Sequence, residues 1–357
     1  MAQPLAAQDT LWPSPSRTWI SCAGLLAALF VALLASLALG SVAIPVDSIA
    51  AILFGDENQQ ASWRHIVLSI RLPRALTGLL AGAALSVSGL QMQTLFRNPL
   101  ADPFILGISA GASLGVALVV LSSGIAGLGL LASLGLVGHL GVVTAAVAGA
   151  GAALALVLVV GKRVANPMTL LLLGLMFGYL TSALVSILLY FSIPEQIQSY
   201  ILWTFGGFGG VTWEQLAAMA PAVLLGLGLA LVLVKPLNAL LLGPEYARSL
   251  GVALPRLRWW IILSSALLAG TVTAYCGPIG FLGVAVPHLC RALFHTANHR
   301  LLLPTCAALG GTLALVADLA ARLPGSQATL PLNAVTALIG APVVAWILLH
   351  RQQVRSF

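Results

Sequence analysis

Uncharged apolar runs of about 20 residues recur along this chain, separated by short clusters of Arg, Pro, Asn and Gly. A helix rising 1.5 Å per residue crosses a hydrocarbon core about 30 Å thick with a run of that length. Ser21 to Leu39 is the cleanest case and holds no charge. The alternation of about 10 residues per strand that marks an outer-membrane barrel is not the pattern seen. With punctuation and charge read as span ends, ten helices are expected at 19–40, 74–95, 105–123, 141–161, 168–192, 215–234, 257–275, 281–295, 302–321 and 332–350. The first run is too long for a signal-peptide core and is followed by many others, so it reads as a retained helix. Small residues near Gly40 leave cleavage as the alternative. The Gly- and Leu-rich stretch 124–140 leaves room for a short re-entrant or extra helix.

Charge orients these spans. With the N-terminus inside, the inner side holds Arg17, Arg97, Lys162, Arg163, Lys235, Arg248, Arg256, Arg258, Arg291, Arg300, Arg351 and Arg355, and the outer side only Arg64, Arg71, Arg74 and Arg322. Twelve against four is a strong positive-inside bias that an odd span count would scramble. The expected organisation is an all-α polytopic membrane protein, N-in and C-in. It has a tail at 1–18, one ten-helix unit at 19–350 with an inner loop at 235–256, and a tail at 351–357.

Composition agrees. The 357 residues are 60% hydrophobic and only 7% charged. A soluble domain carries about 25% charged residues, and close to half of its accessible surface is polar, which this composition cannot supply, so part of the surface has to face lipid. Cys22, Cys276, Cys290 and Cys306 lie singly in or near apolar spans without metal or redox spacing, and read as inert buried thiols. The net charge of +7 follows from topology and needs no nucleic acid. Glycines four apart, Gly78 with Gly82, Gly107 with Gly111 and Gly111 with Gly115, predict close helix contacts, because association in lipid rests on backbone approach.

Few segments offer chemistry. Gly107-Ile-Ser-Ala-Gly111 fits the hydrolase pattern around Ser109, but that pattern needs a strand-turn-helix corner, and small-residue packing is the better reading. Asp318, the one acid inside a confident span, reads either as an ion-coupling site or as the partner of Arg322 one helical turn on. Four of the six histidines fall at inner helix ends or in inner loops as polar anchors; His65 is an outer-loop residue that is either solvated or a contact for a metal chelate. The loop 235–256 breaks at Pro236 and at Gly243-Pro244 and ends in Gly251; between these, Glu245 to Leu250 reads as a short surface helix, either a docking knob or an ordinary interfacial loop. Gly161-Lys162-Arg163 lacks the spacing of a phosphate loop, so any ATP hydrolysis belongs to another subunit.

Several longer stretches are more specific. They are Arg71-Leu-Pro-Arg74, Gly82 to Gly89, Gln91 to Pro103, Leu106 to Gly111, Gly243 to Gly251, Gly277 to His288 and Leu330 to Pro342. In this order, covering about 65 to 350, they resemble the FecCD-type permeases, the membrane subunits of ABC importers for ferric siderophores, haem and cobalamin. The resemblance implies a transport permease that is not itself an enzyme, in the bacterial inner membrane. It pairs with a second copy or a paralogous permease, and works with two ATPase subunits, which bind ATP and Mg, and a periplasmic binding protein. No cofactor or metal is expected in this chain. Carried over residue by residue, Gly243, Glu245, Arg248, Leu250 and Gly251 match the ATPase-coupling element, and Arg71, Arg74 and Arg322 match arginines that pair with glutamates of the binding protein. Asn98 and Pro99, with Leu100, match an inner gate; a second gate matches loosely near Asn166 to Thr169, and Met176, Tyr179 and Ser186 fall on a pathway helix. The stretch Leu173 to Tyr190 leans toward siderophore importers over haem or cobalamin ones.

Overall fold

A computed structural model describes residues 15–56, 58–121, 139–161, 167–322 and 329–350, and among them every regular element is helical. Helix α1 (Pro15–Ala38) is followed by the short α2 (Val46–Leu53). Helix α3 (Ala61–His65) runs through a π-helical stretch, Ile66–Arg71, into α4 (Leu72–Phe96). A 3₁₀ turn at Pro103–Leu106 leads to α5 (Ile108–Val120). Then come α6 (His139–Gly161), α7 (Pro167–Tyr190), α8 (Pro194–Thr204) and α9 (Trp213–Val232). Helices α10 (Val234–Leu241) and α11 (Pro244–Ser249) form a short hairpin before α12 (Leu254–Cys276). The chain closes with α13 (Leu282–Phe294), α14 (His299–Ala321) and α15 (Leu332–His350).

Seven helical stretches among the described residues are long and apolar enough to cross a membrane: α1, α3–α4, α6, α7, α9, α12 and α14. Helices α5, α13 and the stretch Leu332–Ala345 are apolar but shorter. These ten coincide with the ten expected spans, with shifted ends. The first helix starts at Pro15, inside the expected tail. The second starts at Ala61 rather than 74, because a π turn lets a helix carry Pro73 without ending there. Helices α2, α8 and α10 were not expected, since each is too short to register as an apolar run. Pro236 opens no break: it sits in the first turn of α10, where its missing N–H has no intrahelical partner to lose. The expected tail segments 1–14 and 351–357, Lys162, Arg163, the extra element in 124–138 and Asn166 of the second gate lie outside the described residues.

Helix α4 is the axis of the fold. Nearly all of it is buried, against α9, α12, α13 and α14, in one apolar core. A second core joins α5, α6, α7 and α12. Glycine makes the axis approachable. A Cβ on Gly82 would run into the Gly310 carbonyl of α14, and one on Gly111 into the Gly149 carbonyl of α6. Gly107 is not part of the expected Gly107–Gly111 face: with φ at +77° it forms the left-handed turn before α5. Gly111 is thus a packing residue, and Ser109 opens a helix with no strand before it, so the hydrolase corner does not form.

Short helices start inside the bundle. Gly283, in the first turn of α13, lies against Gly89, seven residues before the end of α4, or about 10 Å along the axis. Irregular backbone at that depth is tolerated only where protein satisfies it. Here the Gly280 N–H donates to the Asn333 side chain at 3.0 Å.

Candidate functional site

Two polar clusters sit at opposite ends of α4. At its start the chain brings three arginines and an acid together. The Asp318 carboxylate, buried in the last turns of α14, accepts three hydrogen bonds from Arg74, from Nε at 3.1 and 3.0 Å and from Nη2 at 2.9 Å. Arg322 Nε lies 3.2 Å from the other side of the same carboxylate. Both carboxylate oxygens are therefore taken. The expected Asp318–Arg322 pair is present, but Arg74 is the larger partner, and spacing could not reveal it because the two residues are 244 apart in sequence. A carboxylate so occupied by two guanidinium groups leaves no oxygen for a coupling ion, which removes the basis for reading it as an ion-coupling site.

Arg71 faces inward. Its guanidinium donates to the carbonyls of Leu37 at 2.6 Å and Ala38 at 2.9 Å and also to Val42. The last carbonyls of a helix have no intrahelical donor, so Arg71 caps the end of α1. Gly40 leaves it room, as a Cβ there would approach Nη2 to 2.8 Å. Arg322 adds bonds to the Ser36 hydroxyl at 3.0 Å and the Leu39 carbonyl at 3.3 Å. All three arginines matched to binding-protein contacts are thus bonded within the chain, Arg71 to α1, Arg74 to Asp318 and Arg322 to both. Arg74 keeps 22% of its side chain exposed and Arg322 only 9%, while Arg71 is 5% exposed.

At the other end, α4 stops in a sharply defined turn. Arg97 takes the left-handed conformation, φ +48°, while its N–H bonds to Thr94 and that of Asn98 to Gln93. This is the Schellman pattern, with arginine where glycine is usual. The Asn98 side chain accepts from the Leu100 N–H at 3.0 Å, folding the expected gate residues Asn98 and Pro99 into a tight loop. His288 of α13 donates through Nε2 to the Pro99 carbonyl at 2.8 Å. Arg291 reaches the Gln93 side chain, whose amide donates to the Val284 carbonyl at 3.2 Å. Thr94 meets His299 of α14, which meets Asn238 of α10. A cavity of 440 Å³ lies among Gln93, Thr94, Arg97, Leu240, Arg291 and His299. Sequence reasoning saw His288 and His299 as generic anchors, because none of these pairings is local.

The same end carries α10 and α11. Gly243 (φ +109°) and Gly251 (φ +82°) bracket α11, and any other residue would be strained at either. Glu245 and Arg248 pair with one another at 2.8 Å and are largely exposed. Tyr246 and Leu250 are half-exposed, and Leu242 beside them more so.

The residues expected on a pathway stand on α7, which turns Gly174, Thr181 and Val185 inward and leaves Met176, Tyr179 and Ser186 exposed. At 3.6 residues per turn these three fall within an arc of about 80°, so they form one outward stripe.

The comparisons extend end to end. The FecCD transport family matches residues 28–350. The vitamin B12 import system permease protein BtuC of Klebsiella pneumoniae is 40% identical over 339 residues, covering 94% of each chain. The hemin transport system permease protein HmuU of Yersinia pestis is 38% identical over 326 residues, 91% of this chain and 95% of that one. Among solved structures, an inward-facing metal-chelate type ABC transporter superposes with a TM-score of 0.80 at 32% identity, covering 93% of this chain and 99% of that one. Matched over nearly all of its length by the family and by relatives of its own size, this multi-pass membrane protein belongs to the FecCD transport family.

Proposed function

We propose that this chain is the permease subunit of an ATP-driven importer that moves a metal chelate across the bacterial inner membrane into the cytoplasm, with both termini inside. The observation that carries this reading beyond family membership is α11. It is a short, glycine-bracketed helix exposing Tyr246, Leu250 and a charged pair, on the same end as the Asn98–Pro99 turn. Such a knob suits the cleft of an ATPase partner that supplies ATP and Mg, with Gly243, Glu245, Arg248, Leu250 and Gly251 as the coupling element. The outward stripe of α7 suits a pathway shared with a second copy or a paralogous permease. Of the three arginines assigned to a periplasmic binding protein, Arg74 is the most accessible, and a docked glutamate there would compete with Asp318. Rim charges of this kind govern encounter and register more than affinity.

For substrate, the two relatives named above handle vitamin B12 and hemin, and the structural neighbour is of metal-chelate type. A ferric siderophore, the expectation from Leu173 to Tyr190, belongs to the same chemical class and remains our first proposal, with cobalamin second on the identity to BtuC. The test is reconstitution in liposomes with the cognate ATPase and binding protein, offering labelled cyanocobalamin, hemin and a ferric hydroxamate separately. ATP-dependent uptake of one, absent from the permease alone, is the expected result. Gradient-driven uptake by this chain alone would overturn the importer reading. Replacing Glu245 and Arg248 together should leave membrane insertion intact and abolish uptake; normal uptake would make α11 merely interfacial.

A further inference from the structure

The gate turn and the coupling hairpin are far apart in sequence, yet a single file of polar groups joins them. Its orientation is fixed by donor and acceptor logic. Asn298 caps α14 by accepting from the Arg300 N–H through Oδ1 at 3.0 Å, and the same oxygen receives Asn238 Nδ2 at 2.8 Å. Asn238 must therefore present its oxygen to His299, and it accepts both the His299 N–H at 2.8 Å and Nδ1 at 2.9 Å. With the proton on Nδ1, His299 Nε2 is the acceptor for the Thr94 hydroxyl, 2.9 Å away. Thr94 stands in the last turn of α4, three residues before the left-handed Arg97 that turns the chain into Asn98 and Pro99.

Two further observations separate this file from ordinary packing. The Thr94 hydroxyl has a second acceptor, the Leu90 carbonyl, at the same 2.9 Å. The hydroxyl has one proton and serves one acceptor at a time; when His299 moves away the proton turns to Leu90, no buried donor is left unmade, and the loss is the one bond accepted by His299 Nε2. The 440 Å³ cavity adjoins the contact and is lined by Leu240 and Leu241 of α10, which gives the hairpin room to shift against α4. The link is buried, directional and separable.

We propose that Asn238, His299 and Thr94 are positioning residues that pass displacement of the α10–α11 hairpin to the end of α4 and so to the Asn98–Pro99 turn. This rests on the importer reading above, in which an ATPase partner moves α11. The three residues touch neither nucleotide nor cargo; they act through the turn that they hold.

The test uses the complete transporter in liposomes, with ATP hydrolysis and uptake of labelled cyanocobalamin, hemin and a ferric hydroxamate measured in parallel. Thr94→Val keeps the shape and removes the hydroxyl. Uptake per ATP hydrolysed is expected to fall by about tenfold, the scale of one buried hydrogen bond, with hydrolysis retained within about twofold. Thr94→Ser restores the ratio. Asn238→Ala lowers it similarly, and Asn238→Ala with Thr94→Val is no worse than either alone, as members of one chain are non-additive. An unchanged ratio in Thr94→Val, a parallel fall of hydrolysis and uptake, or failure of Thr94→Ser to restore coupling would each overturn the proposal. If the unaltered transporter moves none of the three probes under ATP, the importer reading itself falls, an outcome distinct from coupled transport that ignores Thr94.

Discussion

The two ends of α4 are held by different physics. At its start, Arg74 and Arg322 converge on Asp318, and Arg71 covers the end of α1, so the bonds joining α1, α4 and α14 all involve full charges. At its finish, Thr94, His299 and Asn238 join α4, α14 and α10 through neutral groups, beside one charge-assisted bond from Arg291 of α13 to the Gln93 side chain, and the turn beyond is shaped by backbone bonds and the Asn98 side chain. Charges in a low-dielectric surround cannot be parted without leaving an unpaired ion, whereas neutral hydrogen bonds exchange partners at small cost. The end that shares the buried Asp318 carboxylate is held by ion pairs, whereas the file of neutral groups at the other end can exchange partners.

Breaking the charged end should have the largest effect. Asp318→Ala leaves two guanidinium groups without their shared acceptor, and is expected to destabilise the fold by about 3–5 kcal/mol. Thermal unfolding of the detergent-purified protein reads this out, and a midpoint close to that of the unaltered chain would show that the arginines find water instead. Arg71→Met keeps much of the stem but removes the donors at the end of α1. Charge-assisted bonds of this kind predict a loss of about 2–3 kcal/mol, checked by the same melt and by faster proteolysis between α1 and α2.

The other end should respond with smaller shifts and one opposite sign. Arg97→Gly relieves a left-handed residue at the Schellman position and is expected to stabilise by about 1 kcal/mol. A destabilised Arg97→Gly protein would mean that the side chain, rather than the backbone, holds the turn. Glu245→Ala removes an exposed pair and should change the melting midpoint by no more than about 0.5 kcal/mol equivalent, while ATP-driven uptake falls. A large stability loss there would place α11 in the fold rather than at a partner's surface.

How much of this was legible beforehand depends on the range of the interaction. The apolar runs marked the seven helices long enough to cross a membrane and the three shorter apolar ones, because lipid tests every residue of a run at once, and the motif order led to the family. Helices α2, α8 and α10 escaped because each is shorter than any run that signals a span. Asp318 with Arg322 was visible as a pair one turn apart on one helix, whereas the Glu245–Arg248 pair was not read beforehand. Arg74 with Asp318, Thr94 with His299 and His288 with Pro99 join residues about 190 to 240 apart, and no spacing announces them.

From its own pattern the chain determined that it lives in lipid, how many apolar helices it makes and where the motifs it shares with its family lie. These follow from solvation and local backbone preference, which act residue by residue. Only the tertiary structure decided that Arg71 turns inward as a cap, that Arg74 is the principal partner of Asp318, and that a neutral file runs from Asn238 to Thr94. Those outcomes depend on which helices lie side by side, which is set by glycine contacts such as Gly82 with Gly310 that no single segment contains.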